Sequence, residues 1–169
     1  MGNLKCIHQN PYCSFMQRKD AGNEDPYYFI RSLDYVSILA LTPKGKIVLV
    51  RQNRPVVQKE VVELPSGHVE EGEDPQDAVC RELKEETGLS IKSIDFIGDM
   101  HPDVGRLENR QWNYFGRTTS DEITSPEASL GVSAFLCNQE DLLKYINSGV
   151  FSHGPGLATL YLAKLNGFY

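Results

Sequence analysis

Glu82, Glu85 and Glu86 stand at spacings i, i+3 and i+4. In a helix, at about 100° per residue, they fall within an arc of roughly 100°, so three carboxylates share one face. Like charges at that spacing cost an isolated helix a few tenths of a kcal/mol each, and near a helix C-terminus the macrodipole adds to the repulsion. Helix propensity therefore does not explain the choice. Two readings are open from the residues alone. One is a solvated acidic face partly offset by Arg81, which reaches Glu85 at i+4. The other is a seat for a hard divalent cation, because Mg²⁺ takes a few carboxylate oxygens and keeps waters for substrate phosphates.

The flanking residues decide between them. The segment GHVEEGEDPQDAVCRELKEETGL, residues 67–89, carries Gly67, then Glu73, then Arg81-Glu82-Leu83, then Glu85-Glu86 and Gly88-Leu89. This is the pattern G, five residues, E, seven residues, R-E-U-x-E-E-x-G-U, with U aliphatic. At typical usage near 6% per residue type, seven fixed identities arise by chance on the order of 10⁻⁸ or less per register.

With every fixed position present, the chain resembles the Nudix hydrolases. The resemblance implies an α/β fold, an α/β/α sandwich with a mixed sheet and a loop-helix-loop that binds Mg²⁺ or Mn²⁺. The implied reaction is hydrolysis of a nucleoside diphosphate linked to another moiety. Carried onto this sequence, it makes Glu82 and Glu86 metal ligands, Glu85 a ligand or base, and the Ser66 carbonyl a further ligand. Arg81 and Glu73 pair to orient the acidic cluster. The chemistry agrees with these residue types, since a metal makes phosphorus electrophilic and lowers the pKa of an attacking water.

Three further segments resemble the ADP-ribose and nucleotide-sugar pyrophosphatases within that family: Val50-Arg51-Gln52-Asn53-Arg54-Pro55, Glu63-Leu64-Pro65-Ser66-Gly67, and residues 101–110 (HPDVGRLENR). Val104 stands where that subgroup usually carries a proline, with Pro102 two residues earlier, so other nucleotide sugars stay open beside ADP-ribose. Nucleoside triphosphate or dinucleoside polyphosphate hydrolysis is the rival activity. A non-catalytic nucleotide sensor is the rival without chemistry, but such proteins are expected to lose box glutamates. In an acidic chain the phosphates need local cations, and Arg51, Arg54, Arg106 and Arg110 are nearest in sequence; an arginine fork suits pyrophosphate oxygens.

The resembled subgroup often takes its catalytic base from a loop before the last strand. Here that loop is residues 118–129 (TTSDEITSPEAS), offering Asp121, Glu122 and Glu127, with Glu127 favoured by position and Glu85 as the alternative inside the box. Trp112 reads as a core or interface side chain more than a base-stacking one. His68, at a variable position of the box, is not expected to be a ligand, and Cys80 reads as a small core residue.

These residues need elements to hold them. Asp74 as N-cap, Pro75 at the first helical position and Gly88 as stop predict a helix over Pro75–Thr87. Runs 27–30, 35–41, 47–50, 60–64, 91–98, 111–118 and 130–137 read as strands. Asn138 caps a helix to about Ser148, and Pro155 opens a last one that stops near Gly167. The order favours a mixed sheet flanked by helices.

The chain has 169 residues, with 17 Lys and Arg against 23 Asp and Glu for a net charge of −6. That is one domain's worth of chain, read as a single unit over 1–169. The acidic balance argues against a nucleic-acid surface and leaves a small anionic ligand possible only through local cations; a small-molecule nucleotide substrate is what the resemblance implies. Apolar runs are too short to span a bilayer. Four cysteines without C-x-x-C spacing read as reduced thiols and point to the cytoplasm. Residues 1–35 hold Tyr12, Phe15, Tyr27, Tyr28 and Phe29, which a homodimer of the kind implied by the resemblance would bury.

Overall fold

A computed structural model describes residues 3–20, 22, 25–124 and 131–168. The first strands, β1 (Asn3–Gln9), β2 (Cys13–Lys19) and β3 (Tyr27–Ser32), form an antiparallel three-stranded sheet in the order β1-β2-β3. It is stitched to the rest of the chain through residues 105–108. Ile30 donates its N–H to the Arg106 carbonyl at 2.8 Å and accepts from Glu108 N–H at 2.9 Å. Arg31 pairs with Glu108, and the Tyr27 hydroxyl donates to the Gly105 carbonyl.

Seven strands among the described residues make the main sheet: β4 (Tyr35–Leu41), β5 (Ile47–Arg54), β6 (Lys59–Glu63), β7 (Ser66–His68), β8 (Ile91–Met100), β9 (Gln111–Thr118) and β10 (Val132–Cys137). The order is β10-β5-β4-β9-β8, with β6 on β5 and β7 on β4. Only β4 and β9 run parallel, so the sheet is mixed. Strands β4 and β5 are paired in register only at Leu41 and Ile47. They then separate, and β7 takes the place beside Tyr35, Val36 and Ser37. This split opens the sheet at the start of β4.

Alternation along β4 and β9 sorts the side chains into two layers. Val36, Ile38, Ala40 and Tyr114 pack with Val79 and Leu83 of helix α1 (Pro75–Thr87). Leu39, Leu49 and Phe115 pack on the opposite face with Leu142 of α2 (Gln139–Asn147) and Leu160 and Ala163 of α3 (Gly154–Leu165). The result is the expected α/β/α sandwich.

Helix α1 has the expected bounds for the expected reasons. Asp74 accepts from the Gln76 N–H at 2.8 Å, Pro75 opens the first turn, and Gly88, at φ 76°, ends the helix in the left-handed region. Asn138 caps α2 by accepting from the Asp141 N–H at 2.8 Å. Several boundaries differ from the sequence reading. Strand β5 continues past Val50 through the polar Arg51-Gln52-Asn53-Arg54, because β6 and β10 pair it on both sides. Strand β8 runs on to Met100 through a register shift between Phe96 and Gly98. Ser66–His68 adds a short strand, β7, that the sequence reading did not include.

Candidate active site

Helix α1 turns its acidic face towards β7. The Glu86 side chain, 5% exposed, accepts from the Ser66 N–H at 3.1 Å. The Glu82 carboxylate lies directly against Gly67, where a Cβ would sit 2.0 Å from its carboxyl carbon. Only glycine leaves room for that approach. Arg81 is the hub of the cluster. It donates to both Glu73 oxygens at 2.9 and 3.0 Å, to Glu82 at 2.8 Å, to Glu85 at 3.0 Å and to the His68 carbonyl at 3.0 Å. These bonds hold the Glu73 carboxyl below the ordinary carboxylate range, through Arg81 first and the Glu70 N–H second.

One guanidinium thus serves three carboxylates, and with Glu86 the cluster sets four carboxylates around a single arginine. As the side chains stand among the described residues, no three His, Cys, Asp or Glu groups converge into a metal cage, because Arg81 holds Glu82 and Glu85 while Glu86 is turned to Ser66. The donor chemistry nevertheless fits a hard divalent cation: oxygen ligands only, an excess of negative charge, and one nearly buried carboxylate beside a backbone turn.

Gly88 joins the helix to the loop that follows β9. A Cβ there would collide with the Thr124 hydroxyl, and the Thr124 N–H bonds the Thr87 carbonyl at 3.1 Å. The segment preceding Glu127 is therefore tied to the C-terminal end of the box helix. Glu127 itself lies outside the described residues. Asp121 is engaged elsewhere, accepting from the Lys44 N–H at 3.2 Å and from Thr42, which lower its pKa. Glu122 is exposed.

Ser66 also lines a cavity of about 510 Å³ at the split in the sheet. Its walls come from β4, β5, β6, the 101–110 loop and the start of α3. Arg54 stands there, paired with Glu63 by two bonds of 2.9 and 2.6 Å. The Glu63 side chain is 3% exposed and that of Arg54 44%, so a buried acid holds a cation out to the opening. The hydrogen bond with Glu63 raises the Arg54 pKa, and burial raises that of Tyr35.

Of the four candidate arginines, Arg54 is the one that lines the cavity. Arg51 lies over the Phe135 ring, 5.0 Å from its centroid, with Glu60 3.5 Å away. Arg110 pairs with Asp99 at 3.4 Å beside Trp112, and Arg106 is exposed. Alternation explains Arg51, since Gln52 and Arg54 share one face of β5 and Arg51 the other. Trp112 packs near Phe96 and donates to Asp34 at 3.2 Å. Cys80 is half-buried against the α1 layer, and burial raises its pKa. His68 stacks on Tyr35, and burial followed by the Arg54 charge lowers its pKa.

Sequence reading missed Tyr35, Glu63, Asn109, Gln111 and His153, all on the cavity wall. One signal was present. In QWNYF the α3-facing positions are Gln111 and Asn113 before Phe115, polar residues where a core strand wants apolar ones.

Residues 32–150 match the model of the NUDIX domain. The chain belongs to the Nudix family. The ADP-ribose pyrophosphatase of Bacillus subtilis is 40% identical over 115 residues, 67% of this chain and 62% of that protein. The methanol dehydrogenase activator of Bacillus methanolicus is 40% identical over 68 residues, 40% of this chain and 37% of that one. The chain therefore spans less than two thirds of the length of either relative. A solved structure described as an ADP compounds hydrolase superposes with a TM-score of 0.76 at 15% identity, covering 99% of this chain and 95% of that chain, which shows the fold. Among the described residues no helix is long and apolar enough to cross a membrane.

Proposed function

We propose that this Nudix protein is a pyrophosphohydrolase that cleaves the diphosphate of a nucleotide sugar, with ADP-ribose the first candidate. Ser66 carries the reading. Its N–H bonds Glu86 of the box, and the same residue lines the cavity that Arg54 enters. The acidic cluster and the cavity thus meet at one residue. The similarity to the Bacillus subtilis ADP-ribose pyrophosphatase supports the substrate class.

Glu82, Glu86 and the Ser66 carbonyl would hold the cation, Mg²⁺ or Mn²⁺, with Glu85 beside them. When bound, such a cation neutralises phosphate charge and acidifies a water. Glu73 and Arg81 orient the carboxylates, and Arg54 meets the diphosphate oxygens. A water oxygen forms a bond to one phosphorus, the bond from that phosphorus to the bridging oxygen breaks, and the water's proton passes to a glutamate. Products are a nucleoside monophosphate and a sugar phosphate. We assign the base to Glu127, three residues after Thr124 in sequence, with Glu122 and Glu85 as its competitors. Four unpaired cysteines suit a reducing compartment such as the cytoplasm. Leu4, Ile7, Phe15 and Tyr28, all exposed on the N-terminal sheet, offer an interface for a homodimer, which light scattering at micromolar concentration tests.

The deciding experiment is a panel of ADP-ribose, ADP-glucose, GDP-mannose, UDP-glucose, a diadenosine polyphosphate and dNTPs with Mg²⁺, using Glu86→Gln as control. Sugar-linked diphosphates cleaved by wild type and not by the variant support the reading. Cleavage preferring triphosphates, or equal turnover by Glu86→Gln, overturns it.

A further inference from the structure

The polar groups on the cavity wall divide into those already bonded and those that are not. Arg54 and Glu63 satisfy one another. Gln111 Nε2 is shared among Asn113 Oδ1 at 2.7 Å, the Pro155 carbonyl at 3.1 Å and Thr159 Oγ1 at 3.3 Å, and Thr159 goes on to Ser37 at 3.1 Å. Two buried atoms of lining residues, Asn109 Oδ1 and His153 Nδ1, have no hydrogen-bond partner among the described residues. Buried polar atoms are nearly always paired, so an unpaired one needs a reason.

Asn109 is 4% exposed, and its backbone is pinned on every side. The Glu108 N–H bonds Ile30, the Arg110 N–H bonds Asp34 Oδ1 at 2.8 Å, the Arg110 carbonyl accepts from Tyr35 at 2.8 Å, and the Asn109 carbonyl meets His101 Nδ1 at 3.2 Å. The residue is thus fixed while its amide is left over, and χ2 of asparagine is broad enough to present that amide to the cavity. His153 stands at the N-cap of α3 and makes no side-chain cap bond.

Register gives the distance from the box. Ser66 pairs with Ser37 and Ser37 with Asn113, so β7, β4 and β9 are successive neighbours, and Asn109 immediately precedes β9. Two strand spacings make about 10 Å across the sheet to Asn113, and Asn109 lies four residues, about 13 Å, further back along the chain. Phosphates held at Ser66 and Arg54 therefore leave the Asn109 end of the cavity to whatever the diphosphate carries. Tyr35 is the only Phe, Tyr or Trp among the lining residues described, so the cavity offers no pair of large aromatic rings to sandwich a base, whereas sugar hydroxyls both donate and accept.

Resting on the pyrophosphohydrolase reading, we infer that Asn109 and His153 are specificity-determining residues that hydrogen-bond the hydroxyls of the sugar beyond the diphosphate. Asn109→Leu and His153→Gln test this, with ADP as the probe that keeps the diphosphate and lacks the second sugar. Each variant should raise KM for ADP-ribose about tenfold, the worth of one lost hydrogen bond in a site built for it, with kcat within about threefold and the inhibition constant of ADP unchanged. Replacing the base, in GDP-ribose against ADP-ribose, should leave the effect in place.

An unchanged KM, an equal loss for ADP, or an effect that vanishes when the base is changed would overturn the inference. If Asn109→Leu does not fold, His153→Gln carries the test. Calorimetric titration separates the two readings. Wild type that binds ADP-ribose more tightly than ADP without cleaving it overturns the hydrolase reading alone, and absence of any preference for ADP-ribose over ADP overturns this one.

Discussion

Gly67→Ala should separate folding from activity with a single methyl group. Gly67 lies in β7 outside the left-handed region, so alanine can adopt its backbone. The added Cβ would sit 2.0 Å from the Glu82 carboxyl carbon and 2.2 Å from each oxygen. Ordinary contact begins near 3.4 Å, so the carboxylate must retreat by 3.4 − 2.0, about 1.4 Å. Glu82 is the far end of a flexible side chain and can yield. The fold then loses part of the Arg81–Glu82 bond, about 0.5–1.5 kcal/mol, and recovers about 0.4–1 kcal/mol because alanine restricts the unfolded chain. Stability should change by less than about 1 kcal/mol.

Activity should not survive as well. Displacing a proposed metal ligand by more than 1 Å costs on the order of 10²-fold in turnover. Urea unfolding without added metal reads the first quantity, and kcat/KM for ADP-ribose across a Mg²⁺ titration reads the second. Wild-type activity at the same Mg²⁺ requirement would refute the placement of Glu82 at the metal. A stability loss beyond about 3 kcal/mol would show instead that the carboxylate cannot move and that its contact with β7 is structural.

Arg54→Met should destabilise by about 3 kcal/mol, since it strands the buried Glu63 carboxylate, and Glu63→Gln in the Arg54→Met background should restore part of that loss; urea melts that show no recovery in the double variant would contradict this. Gly88→Ala should cost about 1–2 kcal/mol for the left-handed backbone and also lower kcat by displacing Thr124, whereas Thr124→Ala in the Gly88→Ala background should restore part of the kcat and none of the backbone cost. The Glu73 carboxyl has its pKa depressed below 4.5 in the folded state, so its contribution is present above pH 4.5 and is lost as pH falls through the folded value. Glu73→Gln should therefore be less stable than wild type at pH 7, with the difference narrowing as pH falls below 4.5, and a difference that does not narrow in acid would locate the effect outside the Arg81 bonds.

The box was legible because its chemistry is local. Seven identities within residues 67–89 fix a stop, a hub and three acids on one helix that Asp74 caps, and nothing distant is needed to bring Arg81 to Glu73 and Glu85. The cavity was not legible for the opposite reason. Glu63 reads as one acid in a strand, Asn109 as loop polarity and His153 as a lone histidine until β4 and β5 separate and α3 closes over the gap. Strand alternation shows where these readings part. Arg51 and Arg54 sit three residues apart in β5 and so point to opposite faces, one to the Phe135 ring and one to the cavity. Sequence proximity to the motif nominates both, and the period of two separates them. Gln111 and Asn113 follow the same rule in reverse: their alternation reads as a solvent face, yet α3 covers it, and Thr159 at 0% exposure joins both to Ser37. A polar stripe under a helix rigidifies the cavity wall only if its members are paired. Asn109 and His153 lie at the edge of that paired stripe, where a ligand can complete what the fold leaves undone.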